Sequence, residues 1–369
     1  MPLSIGIVGL PNVGKSTLFN ALSSAAAEAA NYPFCTIEPN VGVVPVPDPR
    51  LDHIAELIRP RKKTPTALEF VDIAGLVRGA SRGEGLGNQF LANIRQVDAV
   101  LHVLRCFDDE NVTHVEGGLD PRRDKEVVET ELCLKDLETV ERRRERTQRA
   151  AKAAGKPGEE ARAELALLDR VREQLDRGIP VRAMGLSEEE RAQLGELFLL
   201  TAKPVLYAAN ISEAQLSGAE RDPCVQAVKA LAAAEGADMV ALAAGIEAEI
   251  QQLPPEERDN FLASVGLREP ALNQVVRASY RLLGLQTFFT IGEEECRAWT
   301  IKRGWKAPQA AGLVHTDFER GFIRAEVIRW QDLLQHGSEA AVRDQGLMRV
   351  EGKEYVVQDG DCIHFRFNV

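Results

Sequence analysis

The sequence predicts an α/β fold with a mainly parallel sheet, an inserted helical hairpin and a small α+β domain at the carboxyl end. Two observations lead to this fold class. Apolar runs alternate with helical stretches over much of the 369-residue chain, and a long charged stretch interrupts that alternation. The alternation is typical of parallel strands with helices on both faces of the sheet. The strand-like runs are Ile5 to Val8, Ala67 to Val71, Ala99 to Leu104 and Pro204 to Ala209.

The charged stretch covers residues 127–199, and Gly155-Lys156-Pro157-Gly158 interrupts it near its middle. We therefore expect an antiparallel helical hairpin. Its first arm concentrates basic side chains, which either contact RNA phosphates or form a solvated face paired with nearby glutamates. The basic residues are Arg142, Arg143, Arg144, Arg146, Arg149 and Lys152, and the glutamates are Glu138, Glu141 and Glu145.

After about Tyr280 the pattern becomes rich in short strands, with a turn at residues 358–361 and a helix at Ala307 to His315. The predicted strands are Thr287 to Ile291, Arg297 to Ile301, Ile323 to Ile328, Glu354 to Gln358 and Cys362 to Phe367. This segment carries no catalytic constellation, so we expect a recognition role. The predicted boundaries are 1–126 with 200–279 for the nucleotide-binding domain, 127–199 for the hairpin and 280–369 for the last domain.

Composition narrows the class of protein. A net charge of −11 argues against a protein that coats nucleic acid indiscriminately. The six cysteines have no metal-ligand spacing, which favours a reduced, cytoplasmic protein. We find no signal-peptide pattern and no apolar stretch long enough to cross a bilayer, so no membrane association is expected.

A complete phosphate loop follows the first strand-like run, in the sequence Gly9-Leu10-Pro11-Asn12-Val13-Gly14-Lys15-Ser16-Thr17. Glycines let the backbone N–H groups face the phosphates, and the following helix starts at the same point. Residues 12–17 are therefore assigned to nucleotide binding, with Lys15 on the β and γ phosphates and Ser16 on Mg²⁺. The alternative is an ordinary glycine turn between a strand and a helix.

Asp72-Ile73-Ala74-Gly75 follows the second strand-like run. At that place Asp72 is expected to hold Mg²⁺ through water, and the Gly75 N–H to sense the γ-phosphate. Thr36 is expected to give Mg²⁺ a second hydroxyl, the alternative being a solvated or capping threonine. The glycine-rich residues 76–87 predict a mobile second switch.

The residue that positions the attacking water is not obvious. Leu76 stands where Ras-like proteins carry the glutamine that orients this water, and an apolar side chain cannot do so. Asn12 is one catalytic candidate, by pointing its amide at the phosphates or holding a monovalent cation such as K⁺. His114 is another, although a loop histidine is often only solvated. His102 lies in an apolar strand and is expected to be a satisfied core residue.

Asn210-Ile211-Ser212-Glu213 follows the strand-like run ending at Ala209, where GTPases of this architecture carry NKxD. Glu213 is a methylene longer than the guanine-reading aspartate, and Ile211 replaces the lysine. Asn210 keeps an amide that can pair with a purine edge. We therefore assign Asn210, Ile211 and Glu213 to the base site and expect ATP to be tolerated or preferred.

With these residues considered, the chain resembles the YchF-type Obg-like ATPases over essentially its full length. The matching segments are Gly9 to Thr17, Tyr32 to Asn40, Asp72 to Gly87, His114 to Gly117, Asn210 to Glu213 and the β-rich carboxyl end. The resemblance implies a GTPase-like P-loop domain interrupted by a coiled-coil insertion and followed by a β-grasp TGS domain. It also implies Mg²⁺-dependent hydrolysis of ATP in preference to GTP, and binding to the ribosome or its large subunit. Residues 242–245 depart from the Ser-Ala pair frequent in that family, which leaves only backbone N–H groups for the base.

Three functional hypotheses follow. The first is a slow ATPase in which Lys15, Ser16, Thr36 and Asp72 hold MgATP. The second is a nucleotide-gated adaptor that binds ribosomes, with ribosomal RNA at the basic hairpin, and whose hydrolysis is incidental. The third is a conventional GTPase. Cys35 suggests a separate hypothesis of redox regulation. The alternative is that its side chain only fills a pocket as a small apolar group.

Overall fold

The computed structural model describes residues 3–28, 40–73, 75, 86–109 and 118–368. These residues form two compact units. The first contains the described residues within 1–25, 37–42 and 69–275, and the second those within 26–36, 43–68 and 276–369. Residues 43–68, which the sequence pattern had assigned to the nucleotide-binding domain, thus group with the carboxyl-terminal residues.

The regular elements alternate along most of the chain. The strands are β1 (Ser4–Val8), β2 (Val41–Pro45), β3 (Lys62–Thr64), β4 (Ala67–Asp72), β5 (Ala99–Arg105), β6 (Val205–Asn210), β7 (Asp238–Leu242), β8 (Leu285–Thr290), β9 (Glu295–Lys302), β10 (Phe322–Arg329), β11 (Arg349–Glu351) and β12 (Asp361–Phe367). The helices are α1 (Lys15–Glu28), α2 (Pro49–Ile58), α3 (Leu86–Gln96), α4 (Pro121–Ala150), α5 (Lys156–Asp176), α6 (Glu188–Gly195), α7 (Pro223–Glu235), α8 (Ala244–Gln252), α9 (Pro255–Ser264), α10 (Ala271–Leu282), α11 (Ala307–Val314), α12 (Thr316–Arg320), α13 (Trp330–His336) and α14 (Glu339–Asp344).

One six-stranded sheet has the order β2-β4-β1-β5-β6-β7. Strand β1 pairs in parallel with both β4 and β5, and β5, β6 and β7 continue in parallel. All seven residues of β5 and all six of β6 are buried, as expected for strands covered on both faces. The predicted parallel α/β sheet is therefore confirmed, and the phosphate loop follows the carboxyl end of β1, where ligands bind in such sheets.

The charged stretch forms two paired helices, α4 and α5, which share an apolar core that includes Val140, Leu168 and Val171. Ion pairs join Arg143 to Glu164 and Glu141 to Arg172, so residue numbers rise on one helix as they fall on the other. The helices are therefore antiparallel, as the sequence predicts. Helix α4 begins six residues before the predicted boundary at 127, because the Asp120 side chain accepts hydrogen bonds from two backbone N–H groups of its first turn.

The second unit contains a mixed six-stranded sheet of order β11-β10-β12-β8-β9-β3. Helix α11 and four of the five predicted strands are found at nearly the expected positions. The strand predicted at Glu354 to Gln358 is wrong, because only Val356 makes an isolated bridge, with Lys306. The turn at residues 358–361 is present, with the Asp361 N–H donating to the Gln358 carbonyl oxygen at 3.2 Å.

Two further findings concern the described residues. No helix of the described residues is long and apolar enough to cross a membrane. The five cysteines within the described ranges are all free thiols, and four of them are buried.

Candidate functional site

The phosphate loop brings a buried cation to the carboxyl end of β1. Lys15 opens helix α1 with its side chain almost fully enclosed, and its Nζ donates to the Leu10 carbonyl oxygen at 2.6 Å. Burial lowers the pKa of Lys15 to about 8, and the negative charge of Asp72 opposes that shift. The ammonium group is thus held inside the loop. Its one hydrogen-bond acceptor among the described residues is the Leu10 carbonyl oxygen, which an anionic ligand would replace.

Two glycines of the loop are required by close approach. A Cβ on Gly9 would lie 2.5 Å from the Val103 carbonyl oxygen of β5, and a Cβ on Gly14 would collide with the Asn210 amide nitrogen. Gly14 also has a φ of 95°, a backbone conformation that side chains rarely adopt. The two glycines therefore let the loop pack closely against β5 and β6, and they also let its backbone curl.

The two residues expected to serve Mg²⁺ lie together. The Ser16 hydroxyl donates to Asp72 Oδ2 at 3.3 Å. The other carboxylate oxygen, Asp72 Oδ1, is buried and has no hydrogen-bond partner within the described residues. An unpartnered buried carboxylate oxygen beside a hydroxyl fits a hard cation with its water shell. No cluster of three or more His, Cys, Asp or Glu in the described residues resembles a different metal site.

Gly75 and Asn12 also lie near the phosphate loop, Gly75 beside the Lys15 amine and Asn12 within the loop itself. A Cβ on Gly75 would stand 3.1 Å from Lys15 Nζ and 3.3 Å from the Pro11 nitrogen, so only a glycine lets the backbone come this close without displacement. Asn12 has a φ of 62°, in the left-handed region that asparagine tolerates better than most residues, and its side chain is exposed.

The Asn210 side chain at the end of β6 ties the phosphate loop to the base-side loop. Its Nδ2 donates to the Val13 carbonyl oxygen at 2.8 Å, and its Oδ1 accepts from the Ala244 N–H at 3.0 Å. The side chain is 3% exposed, so the bridge is shielded from water. One amide hydrogen and one oxygen lone pair remain for a ligand.

The other residues assigned to the base site differ in placement. The Ile211 side chain is buried in the core, and its N–H donates to the Leu242 carbonyl oxygen at 2.8 Å. Glu213 is exposed at the start of a 3-10 helix. The expectation that residues 242–245 leave their backbone N–H groups for the base needs one correction, because the Ala244 N–H is already donated to Asn210.

Sequence reasoning missed two residues that shape the loops at this edge. Gln215 donates to the Cys106 carbonyl oxygen at 2.9 Å and accepts from the Ser212 N–H at 2.8 Å, which joins the loops after β5 and β6. The Ser212-x-x-Gln215 pattern of a capping box was the available signal. Arg105 is buried at the end of β5, donates to the Phe107 carbonyl oxygen at 3.0 Å and stacks over that ring. A basic residue ending an apolar strand gave only a weak signal.

Four residues of the sequence analysis, Thr36, Cys35, Leu76 and His114, lie outside the described residues. His102 is buried within β5, as predicted, beside the ring of Tyr207. It is not satisfied, however, since its Nε2 has no hydrogen-bond partner within the described part of the chain. Burial, with the positive charges of Arg182 and Lys125, lowers the pKa of His102 to about 3.

A buried network of charges lies next to His102. Lys125 of α4 pairs with Glu129 and with Glu235 at the end of α7, and Arg182 pairs with the same two carboxylates. Tyr207 of β6 donates to Glu235 at 2.9 Å. The network therefore fixes the base of the helical insertion to the α/β sheet through opposite charges that are mostly out of water.

Comparisons with known proteins find similar chains over the full length of this one. A family model described as a 50S ribosome-binding GTPase matches residues 4–141, and the YchF-GTPase_C model, described as a protein of unknown function (DUF933), matches residues 285–368. The chain is 54% identical to the ribosome-binding ATPase YchF of Escherichia coli O157:H7 and 53% identical to that of Bacillus subtilis (strain 168), each over 100% of both chains. The solved structure of the Schizosaccharomyces pombe YchF GTPase matches with a TM-score of 0.90 and 38% identity, over 99% of this chain and 97% of that one.

Proposed function

The chain belongs to the YchF family, and from that premise we propose that it is a Mg²⁺-dependent ATPase that prefers ATP to GTP and acts on the ribosome or its large subunit as a nucleotide-regulated factor. It is a P-loop nucleoside triphosphatase. The observation that carries the proposal is the convergence of Lys15, Ser16 and Asp72 at the carboxyl end of β1, where Asp72 Oδ1 has no hydrogen-bond partner within the described residues. Its cytoplasmic location follows from a ribosomal partner.

The residues present fit Mg²⁺. Ser16 and Asp72 supply a hydroxyl and a carboxylate, which are the oxygen ligands that this ion prefers, and Thr36 is the proposed second hydroxyl. When bound, the ion would neutralise charge that develops on the phosphate oxygens.

The chain's own groups bind and orient the triphosphate. Lys15 offers a desolvated ammonium group to the β and γ phosphates, and the loop N–H groups at residues 12–17 with that of Gly75 surround them. Asn12 and His114 remain the candidates for positioning the attacking water. We propose that Asn12 does so with K⁺, which predicts faster hydrolysis in potassium than in sodium and loss of that difference in Asn12→Ala.

The preference for ATP rests on the departure from NKxD. Ile211 is buried where a lysine stem would run, and Glu213 is exposed, so neither offers the paired guanine contact of that motif. The names of relatives divide on this point, since the two bacterial proteins are called ATPases and the yeast structure a GTPase. The proposal therefore depends on the residues of the base site.

Calorimetry with ATP and GTP tests the preference. We expect tighter binding of ATP by the wild type, and a gain of about tenfold or more in GTP affinity when Ile211→Lys and Glu213→Asp restore the motif. Ala214→Ser, an exposed position next to Glu213, is the control and should leave the ratio of ATP to GTP affinity unchanged. Tenfold tighter binding of GTP by the wild type would contradict the proposal.

Contact with ribosomal RNA is proposed for the far end of the hairpin rather than for its whole basic arm. Arg143 and Arg144 pair with Glu164 and Asp169 of the other helix, so their charges are already neutralised. Three exposed cations nearer the turn, Arg146, Arg149 and Lys152, form no ion pair within the described residues. Free cations of this kind are the groups that can release counterions from RNA phosphates.

Cosedimentation with ribosomes at several salt concentrations tests this contact. The double variant Arg146→Ala, Arg149→Ala should bind more weakly and lower the slope of log affinity against log salt by about one to two. Arg122→Ala, at the other end of α4, removes an exposed charge as a control. An unchanged slope in the double variant would place the RNA contact elsewhere.

The adaptor hypothesis is kept as a second candidate because Leu76 removes the usual water-positioning glutamine. The same sedimentation assay separates the two, since an adaptor would still bind ribosomes as Lys15→Ala, with hydrolysis abolished.

A further inference from the structure

The chain leaves the first unit after residue 42 and returns to it at residue 69. Residues 43–68 belong to the second unit, although the described residues on either side of them, 40–42 and those within 69–275, belong to the first. Strands β2 and β4 carry the chain out and back, since both extend across these boundaries.

Helix α2, in the middle of this segment, forms part of the core of the second unit. Its Leu51 and Ile54 are buried against residues of the carboxyl-terminal sheet and of α13, among them Phe289, Ile328 and Leu333. Burial of two aliphatic side chains of this size stabilises the contact between α2 and the rest of this core. The helix therefore belongs to that core rather than resting on its surface.

Polar contacts hold the same helix at its first turn. Arg50 pairs with Asp48 at 2.8 Å and with Asp359 at 2.8 Å. Asp359 also accepts from the Thr287 N–H of β8 at 2.9 Å. Gly360 is packed against the clamp, since a Cβ there would stand 3.0 Å from Arg50 Nη1. We name the side chains of Asp48, Arg50 and Asp359 the arginine clamp.

Strand β3 completes the attachment. It pairs in parallel with β9, with Lys62 opposite Glu295 and Thr64 opposite Arg297, and forms the edge of the second sheet. The Thr64 hydroxyl donates to Glu295 at 2.5 Å. The segment thus contributes a strand, a core helix and a salt-bridge clamp to the second unit.

The residues that flank the segment meet at the proposed Mg²⁺ ligand. The Asp72 N–H donates to the Asn40 carbonyl oxygen at 2.9 Å, which closes the excursion at its base. The carboxylate of the same Asp72 accepts from Ser16. A shift of β4 along its axis would therefore move the group that faces the cation.

We propose that residues 43–68 couple the Mg²⁺-nucleotide site to the second unit, so that Mg²⁺-nucleotide stabilises that unit and the arginine clamp in turn holds Asp72 in position. The inference rests on the proposed Mg²⁺ site. Because coupling between two sites is reciprocal, each partner changes the other by the same factor. We expect the coupling to depend on the cation, because β4, the strand that leaves the segment, runs on to Asp72 and not to residues 9–17.

Hydrogen exchange of the full wild-type chain tests the first half. We expect amides of residues 49–64 to exchange about fivefold or more slowly with Mg²⁺ and a non-hydrolysable ATP analogue than in the free protein. The same analogue with EDTA should leave them unchanged. Equal exchange with and without Mg²⁺, at saturating nucleotide, would overturn the proposal. Failure of the wild type to bind the analogue would instead contradict the proposed function.

Binding measurements test the reverse direction. Arg50→Met keeps the length of the side chain but breaks the clamp, and should weaken Mg²⁺-dependent binding of the analogue about fivefold while leaving binding in EDTA unchanged. Arg349→Met is the control, because Arg349 pairs with Glu351 and Asp361 in the same unit and touches no residue of 43–68 among its ion pairs. Equal Mg²⁺ dependence in Arg50→Met and wild type would contradict the coupling. If Arg50→Met does not fold, the exchange result on the wild type decides.

Discussion

Replacement of Asn210 by alanine tests whether this side chain holds the two halves of the nucleotide site together. The substitution removes one donor and one acceptor and leaves the Val13 carbonyl oxygen and the Ala244 N–H without partners. Each buried group left unsatisfied costs about 1–3 kcal/mol, so the variant should lose about 2–6 kcal/mol of stability without any nucleotide present. That is a large fraction of the free energy of unfolding of an ordinary domain.

Two measurements on the nucleotide-free protein check this prediction. The calorimetric transition of the first unit should move to lower temperature, and the Ala244 amide hydrogen should exchange far faster than in the wild type. Asn210→Asp provides a second variant, because it keeps an acceptor for Ala244 but sets a carboxylate oxygen against the Val13 carbonyl oxygen, now 2.8 Å from Nδ2. It should be destabilised at least as much as the alanine variant.

The role of Asn210 as a bridge would be refuted if the free energy of unfolding of nucleotide-free Asn210→Ala lay within about 0.5 kcal/mol of the wild-type value, which is the range of an ordinary surface substitution. A loss of ATP affinity with unchanged stability would assign Asn210 to base contact alone. Equal losses of ATP and GTP affinity together with lower stability would support the bridge.

Three further predictions concern buried ionisable side chains. The pKa of Lys15 is about 8 without nucleotide, so at pH 9 most of its amine is neutral, and the negative phosphates should draw a proton onto it on binding. Calorimetry in buffers of different ionisation enthalpy should therefore show proton uptake at pH 9, and Lys15→Arg should abolish it. The pKa of His102 is about 3 in the folded protein and near 6.5 in the unfolded chain. Between these pH values only the unfolded chain binds the proton, so the free energy of unfolding falls as pH drops, by at most about 1.4 kcal/mol per pH unit. The melting temperature of His102→Leu should therefore depend less on pH than that of the wild type over this range. Arg182→Met leaves Glu129 and Glu235 with one cation between them and should cost about 3–5 kcal/mol, measured by denaturation of the first unit, whereas a change below about 1 kcal/mol would contradict a structural role for the network.

The local part of the site could be predicted because its signals are local. Residues 9–17 place a glycine turn, a lysine and a hydroxyl within one strand-to-helix connection, and Asp72 ends the next strand-like run. Parallel strands bring their carboxyl ends to one edge, so the meeting of Ser16 with Asp72 followed from the fold class alone. The missing strand at residues 354–358 shows the limit, because an alternating pattern does not say whether a partner strand is available.

The parallel α/β fold, the antiparallel hairpin and the meeting of Ser16 with Asp72 could be read from the amino-acid sequence, because strand and helix periodicity and the pattern of the phosphate loop are encoded over short stretches. Three features emerge only from the folded chain. The Asn210 amide hydrogen-bonds to Val13 and Ala244, the arginines of the hairpin divide into paired and unpaired sets, and residues 43–68 belong to the carboxyl-terminal unit. Each of these depends on partners between about 20 and 300 positions away along the chain. A short pattern carries no information about such partners, since the fold alone brings them within hydrogen-bond distance.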